Sequence, residues 1–281
     1  MNFVNPFEVK GNWYKGNLHT HTTNSDGEAT PEEVLEIYGK AGYNFLCITD
    51  HNKITEAKAP ENMLFLRGSE KNSRNHIVGI ELQEEFDGEG LTDQQIIDRM
   101  NLQNAIVIIA HPYWSGVTSG ELLRLNGYLG IEVFNTVCNR LLGKGYSTVH
   151  FDEMLQTGRK IMGFASDDTH SRKDAAHSFI MAKADSCTKK DILASIKNGC
   201  FYSSTGVIIK NLEIAGSSIK VTCPPAEAID FIAFNSSGKR FTAEKGEIEH
   251  AEYAVRGNEI YIRIEITGRN GKKAWTNPLF L

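Results

Sequence analysis

Short apolar runs in the first two thirds of this chain end, one after another, on histidine or a carboxylate. NLHTH places His19 and His21 after the first, FLCITDH places Asp50 and His51 after the second, and MLFLRGSE places Glu70 after the third. His76 opens the run HIVGIEL, His111 ends AIVIIAHP, and Asp168 and His170 follow IMGFASDDTH. Apolar runs of this length, bounded by turn residues, read as buried strands. The extended candidates are 17–19, 45–49, 63–68, 76–82, 105–110, 130–134, 160–165 and 201–203. Between several of them lie helices with legible ends. TPEEVLEIYGKAG carries Thr30 as N-cap, Pro31 at the first helical position, acids in the first turn and Gly42 as a stop. TDQQIIDRMNLQN opens on Thr92 and Asp93, HFDEMLQTGRK closes at Gly158, and CTKKDILASIKNG closes at Gly199. Strands alternating with helices predict parallel strands, in an open sheet or a barrel. The C-terminal edge of such strands collects functional groups. Of the nine histidines, six fall at these run ends, and only His150, His177 and His250 do not.

After Gly206 the pattern changes. VIIKNLEI, SSIKVTC, DFIAFN, KRFTAE, NEIYIRIEIT and AWTNPLFL have period-two character, with turn signals at 215–217, 224–225, 236–238 and 269–271. This predicts an α/β domain over 1–205 followed by a small antiparallel β-sandwich over 206–281. The sandwich would pack on the first domain or on another subunit, so a homo-oligomer is one expectation.

Composition narrows the function. The net charge of −5, from 30 basic and 35 acidic residues, argues against wrapping a long nucleic acid, which needs basic stripes. It leaves room for a small anionic substrate at a local positive site. Cys47, Cys138, Cys187, Cys200 and Cys223 are odd in number and form no CxxC pair, which argues against structural zinc and a disulfide framework and for a reducing compartment. MNFVNPFEVKGNWYKG has no apolar run of signal-peptide length, and no segment approaches membrane-spanning length. The expectation is a cytoplasmic protein with no membrane partner.

Histidines two apart on an extended segment share a face, as His19 and His21 would. Any one such histidine also reads as a solvated or core residue; the concurrence of all the run ends favours a metal site. Imidazole and carboxylate without thiolate suit manganese, zinc or iron. Nine candidate groups exceed the needs of one ion and suffice for two or three divalent ions sharing a carboxylate. Such ions lower the pKa of a water and clamp the oxygens of the group under attack. Three divalent ions against Asp26, Glu70 and Asp168 would leave the cavity net positive.

HTHTTNSDG, ITDHN, GSE, AHP and DDTH, in order from about Trp13 to Tyr202, resemble the motifs of the PHP (polymerase and histidinol phosphatase) superfamily of metal-dependent phosphoesterases. The resemblance implies a distorted (βα)7 barrel with a trinuclear site at the C-terminal strand ends. Carried over, His19, His21, Glu70 and Asp168 would hold one metal. Glu70 would bridge to a second, with His76 and His111, while Asp26, His51 and His170 would hold a third. Asp26 stands where many relatives carry histidine. In SDDTH, Asp168 shares a face with His170 if the chain is extended, and Asp167 points away. Asp50 would orient an imidazole. WYKGNLHTHT, IEVFN, FDEMLQTGRK and the closing KKAWTNPLFL are similar to a branch that includes ester- and carbamate-cleaving hydrolases.

Around the site, Glu132 reads as a further ligand or as a partner of one, and Asn135 as a substrate contact. Arg140, Arg172, Lys71 and Arg74 are candidate anion binders, each with the plainer reading of a solvated loop cation. His177 is a candidate proton donor to a leaving group, beside Glu70 and Asp168 as catalytic groups. Tyr113 and Trp114 could stack on a ring, and 135–147 reads as a lid loop. The expected activity is hydrolysis of a small phosphomonoester or nucleotide by attack of metal-bound hydroxide. The alternatives are a carboxylic ester or carbamate hydrolase using the same site, a binding module that retains the metals, and a nuclease acting on short oligonucleotide ends.

Overall fold

A computed structural model describes residues 4–281 of the chain. The elements run β1 (Asn12–Asn17), α1 (Pro31–Lys40), β2 (Phe45–Ile48), β3 (Leu64–Asn72), β4 (His76–Ile80), α2 (Asp93–Leu102), β5 (Ile106–Ala110), α3 (Pro112–Ser115) and α4 (Ser119–Leu122). They continue with β6 (Gly130–Asn135), α5 (Thr136–Leu142), α6 (Thr148–Gln156), β7 (Met162–Ser166), β8 (Phe179–Ala184), α7 (Lys189–Lys197) and β9 (Phe201–Ser204). Beyond these come only strands and a 3-10 turn: β10 (Asn211–Ala215), β11 (Ser218–Ala233), β12 (Gly238–Phe241), β13 (Ile248–Ala254), β14 (Tyr261–Gly268), β15 (Lys273–Thr276) and β16 (Leu279–Phe280). Among the described residues no helix is long and apolar enough to cross a membrane.

The sheet is mixed, not the parallel one the alternation predicts. Its order is β7-β6-β5-β4-β3-β2-β1-β8-β9-β15-β14-β11-β10, and only β1–β2, β2–β3, β5–β6 and β6–β7 are parallel. Three residues separate β3 from β4, far too few for a crossover, so the two form a hairpin. The run FIMAKA, absent from the extended candidates, forms β8 and pairs antiparallel with β1 and β9. Among the described residues β7 hydrogen-bonds along its ladder only to β6. Side chains bridge the remaining gap, with Ser203 Oγ donating to the Gly163 carbonyl at 2.8 Å and the Gly163 N–H donating to Asn277 Oδ1 at 3.2 Å.

Two local expectations also change. β1 ends at Asn17, whose amide donates to the His19 carbonyl (2.9 Å) and to Thr20 Oγ1 (2.8 Å), so His19 lies beyond the ladder. Most of the segment read as a lid loop is helix α5. Asn135 caps it by accepting from the Cys138 N–H at 2.9 Å, and Gly143 ends it at φ 68°, a conformation glycine adopts without strain.

The C-terminal strands are not a separately bonded sandwich. β15 pairs with β9 through Ala274–Ser204, Trp275–Ser203 and Thr276–Tyr202, so one ladder runs through the whole chain. Pro224 and Pro225 lack the N–H a ladder needs, and at that point β11 changes partners from β10 and β13 to β14 and β12. Buried Trp275 stacks on Phe134 of β6 with centroids 5.9 Å apart. Close packing leaves little tolerance here: a Cβ at Gly130 would lie 2.1 Å from the Met162 carbonyl oxygen of the paired strand. Gly130→Ala is expected to destabilise the fold by about 2–3 kcal/mol in denaturant titration; an unchanged midpoint would contradict this packing.

Candidate metal centre

The fold brings the run-end residues to one edge of the sheet. His19 and His21 follow β1, His51 follows β2, Glu70 lies late in β3, His111 follows β5, and Asp168 and His170 follow β7. His76 begins its strand, but β4 runs antiparallel to β3 and β5, so its first residue meets Asn72 and Ala110 at that same edge. The loops after β1 and β7 are stapled together: the Asp168 N–H donates to the His19 carbonyl and the His21 N–H to the Thr169 carbonyl, both at 3.0 Å.

All nine sequence-predicted ligand residues lie in this cluster. Their donor atoms fall into groups within 4.8 Å: His21, Asp26, His51 and His170; His19, His111 and Asp168; His19, His21 and Glu70; and Glu70, His76 and His111. Glu70 is central. Its Oε1 lies 3.0 Å from His76 Nδ1 and 3.3 Å from His111 Nε2, and its Oε2 lies 3.0 Å from His51 Nδ1, 3.3 Å from His21 Nε2 and 3.4 Å from His19 Nε2. Asp168 Oδ1 reaches His21 and His19 at 3.1 and 3.2 Å. Asp26 Oδ2 faces His170 at 3.4 Å and His51 at 3.5 Å.

Several features of this cluster fit divalent cations. Among the described residues Glu70 Oε2 and Asp168 Oδ1 are buried and accept no hydrogen bond, a costly arrangement unless positive charge sits beside each. His19 Nε2 and His21 Nε2 face each other at 3.1 Å. His111 (φ 28°) and Asp168 (φ 56°) hold positive backbone angles that non-glycine residues rarely adopt, so surrounding structure maintains the arrangement at a cost. The charges agree. Burial opposes the charged form of His19, yet Asp168, Glu70 and Glu132 outweigh it and raise its pKa well above the usual imidazole value. Against the same penalty, Asp168 and Glu70 push His21 up to about 9. Burial would raise the carboxyl of Glu70, but His19, His111 and His21 hold it well below the usual range.

Supporting residues differ in part from expectation. Asp50 touches no imidazole. It accepts from the Thr22 N–H and hydroxyl, both at 2.7 Å, from Ser25 Oγ at 2.6 Å, and from Thr55, and so fixes the loop that carries His21 and Asp26. The imidazole partner is Glu132, whose Oε1 lies 2.8 Å from His19 Nδ1 while its Oε2 accepts from the His111 N–H at 2.9 Å. Asp167 points away from the cluster, though for a different reason than extended alternation. It accepts from the Tyr38 hydroxyl (2.8 Å), Thr136 Oγ1 (2.9 Å), and the Ala176 and Ser178 N–H groups (2.8 and 2.7 Å). Glu132→Gln, which removes the charge behind His19, is expected to weaken divalent-metal affinity about 10–100-fold by calorimetry; unchanged affinity would deny Glu132 this role.

The remaining candidates separate on placement. Asn135 is buried beneath the cluster, donating to Glu132 Oε2 at 2.8 Å and Asp168 Oδ2 at 3.2 Å, so it braces carboxylates instead of meeting substrate. Arg172 turns outward to Glu33 at 2.7 Å. The exposed His177 ring bonds the Lys173 carbonyl at 2.9 Å and does not line the cavity over the cluster. Lys71 is buried on the Asn52 and Phe86 carbonyls, and Arg74 holds the Ser115 and Gly116 carbonyls. Arg140 does line the cavity, its Nε donating to buried Asp174 at 2.5 Å. Trp114 lines it as well, edge-on to His111 with centroids 5.0 Å apart, whereas Tyr113 does not. Lys173, beside Arg172, also lines it; no local pattern in SRKD distinguishes the two cations.

The open cavity stands above a buried cluster of imidazoles and carboxylates whose donor atoms lie close enough together to hold metal ions. Residues 17–184 match the PHP domain family, and the chain belongs to that family. Over 140 residues it is 29% identical to an uncharacterised protein of Methanocaldococcus jannaschii, covering 43% of this chain and 81% of that one. Its fold is similar to that of a Bacteroides vulgatus protein described as two-domain and as containing a predicted PHP-like metal-dependent phosphoesterase. The TM-score is 0.54 and the identity 14%, over 99% of both chains.

Proposed function

We propose that this protein is a metal-dependent phosphoesterase that hydrolyses a small phosphomonoester or nucleotide. The observation that carries the reading is the pair of buried, unpartnered carboxylate oxygens, Glu70 Oε2 and Asp168 Oδ1, set among imidazoles at the floor of an open cavity of about 500 Å³. His19, His21, Glu70 and Asp168 would hold one cation, Glu70, His76 and His111 a second, and Asp26, His51 and His170 a third. Held there, manganese, zinc or iron would acidify a water and polarise the oxygens of the group attacked. The chain's own residues do the rest. Glu132 and Asn135 hold His19 and Asp168 in place, so little reorganisation is needed during reaction. Three divalent charges exceed those of Asp26, Glu70 and Asp168, which favours an anionic substrate. Arg140, fixed through Nε by Asp174, keeps its outer amines free for a substrate oxygen among the described residues.

A side-by-side screen of phosphate, carboxylate and carbamate esters with manganese-, zinc- and iron-loaded protein tests the reading. Phosphate esters are expected to be preferred by orders of magnitude, with turnover lost in Asp168→Ala. A preference for carboxylic esters or carbamates would overturn it.

A further inference from the structure

We infer that the cavity accepts a substrate whose leaving group is a flat apolar body seated against Trp114 of α3 and Val137 and Leu141 of α5. This deepens the phosphoesterase reading and rests on it only for the choice of head group. The metal cluster forms one part of the cavity lining, and these three side chains form another. Among the described residues ten large apolar side chains are exposed, and four of them, Tyr113, Trp114, Leu141 and Leu142, lie on these two short helices flanking the cavity. Leu141 lines the cavity while remaining 59% exposed, and Trp114 remains 38% exposed. An exposed apolar concentration beside a polar site marks a place where a ligand displaces water.

The wall is built to stay in place. α5 is capped by Asn135 and held by the Arg140–Asp174 pair, and Asp174 is itself buried and accepts from the Ser171 N–H and hydroxyl at 2.8 and 2.7 Å. Trp114 is wedged edge-on to both His76 and His111, at 5.7 and 5.0 Å, so its free surface stands next to the cations' expected position. A phosphate group fills only a small part of about 500 Å³. A small polar alcohol would leave the apolar wall wet, whereas an aromatic ring would cover it.

Titration of manganese-loaded protein with ethylphosphonate and 2-phenylethylphosphonate, by calorimetry, tests this without turnover. The phenyl compound is expected to bind about 30-fold more tightly, the gain from burying one ring. In Leu141→Asn and in Trp114→Ala that advantage is expected to shrink to about threefold or less, with melting temperatures reporting that both variants fold. Equal affinities, no binding of either compound, or an advantage retained in both variants would overturn the inference. Turnover of ethyl phosphate and 2-phenylethyl phosphate, whose leaving alcohols are chemically alike, separates the two readings. Tighter binding of 2-phenylethylphosphonate with neither ester cleaved would defeat the phosphoesterase reading and leave the subsite standing. Cleavage of both esters at equal kcat/KM would defeat the subsite alone.

Discussion

Substitution of Glu70 by glutamine is expected to lower phosphomonoester turnover by about 10³-fold or more. Glu70 is 1% exposed and, among the described residues, is the one carboxylate whose two oxygens together face five imidazoles. Glutamine keeps the volume but removes the charge and one of the two oxygens, so it could not join the neighbouring cations proposed for the site. Because the imidazoles stay where β1, β2, β4 and β5 place them, circular dichroism and melting should report a folded protein. Loss of rate with retained fold separates a cation bridge from a structural acid. A rate within about tenfold of the parent would remove Glu70 from the centre of the mechanism.

The largest expected effect on stability lies away from the cluster. Arg263 of β14 is 1% exposed. It donates through Nε and Nη2 to the two oxygens of Asp152 on α6, at 2.6 and 2.7 Å, and through Nη1 to Glu265 at 3.2 Å. Removing the guanidinium takes the partner from Asp152, whose side chain is 28% exposed, and from Glu265, 12% exposed, and leaves a void where a fully buried side chain stood. Arg263→Ala is therefore expected to cost about 3–5 kcal/mol, a fall in melting temperature on the order of 10 °C. The pair joins the helix-bearing part of the chain to its C-terminal strands, so one cooperative transition should shift as a whole. A shift under about 1 kcal/mol would show the pair to behave like an exposed ion pair.

How far the sequence discloses this structure depends on the range of the interaction. Helices with caps were legible because Thr30 and Thr92 act within one turn, and both form complete capping boxes. Most of the candidate ligands were legible because they follow apolar runs, whereas His76 opens one and Asp26 lies in the turn TNSDG. Direction was harder. Only the three-residue link before His76 reveals that β4 runs against its neighbours, and FIMAKA, with two alanines and a lysine, carries no pattern that separates strand from helix. In β14 both faces are covered, so alternation could not show that Arg263 is buried while Ile262 and Ile264 pack on the other side. Supporting roles were least visible. Arg172 and Lys173 are adjacent in sequence, yet one meets Glu33, 139 residues away, and the other lines the cavity. Asn135 and Glu132 fill their roles through contacts to residues after β1, β5 and β7, which no local pattern encodes.

A shared cation cluster is tested most directly by elemental analysis of the protein after loading and exhaustive dialysis, beside Glu70→Ala prepared identically. Two to three equivalents of manganese, zinc or iron per chain are expected for the parent protein, and fewer than half as many for the variant. A parent protein that retains no divalent metal after loading, or a variant that retains as much as the parent, would contradict it.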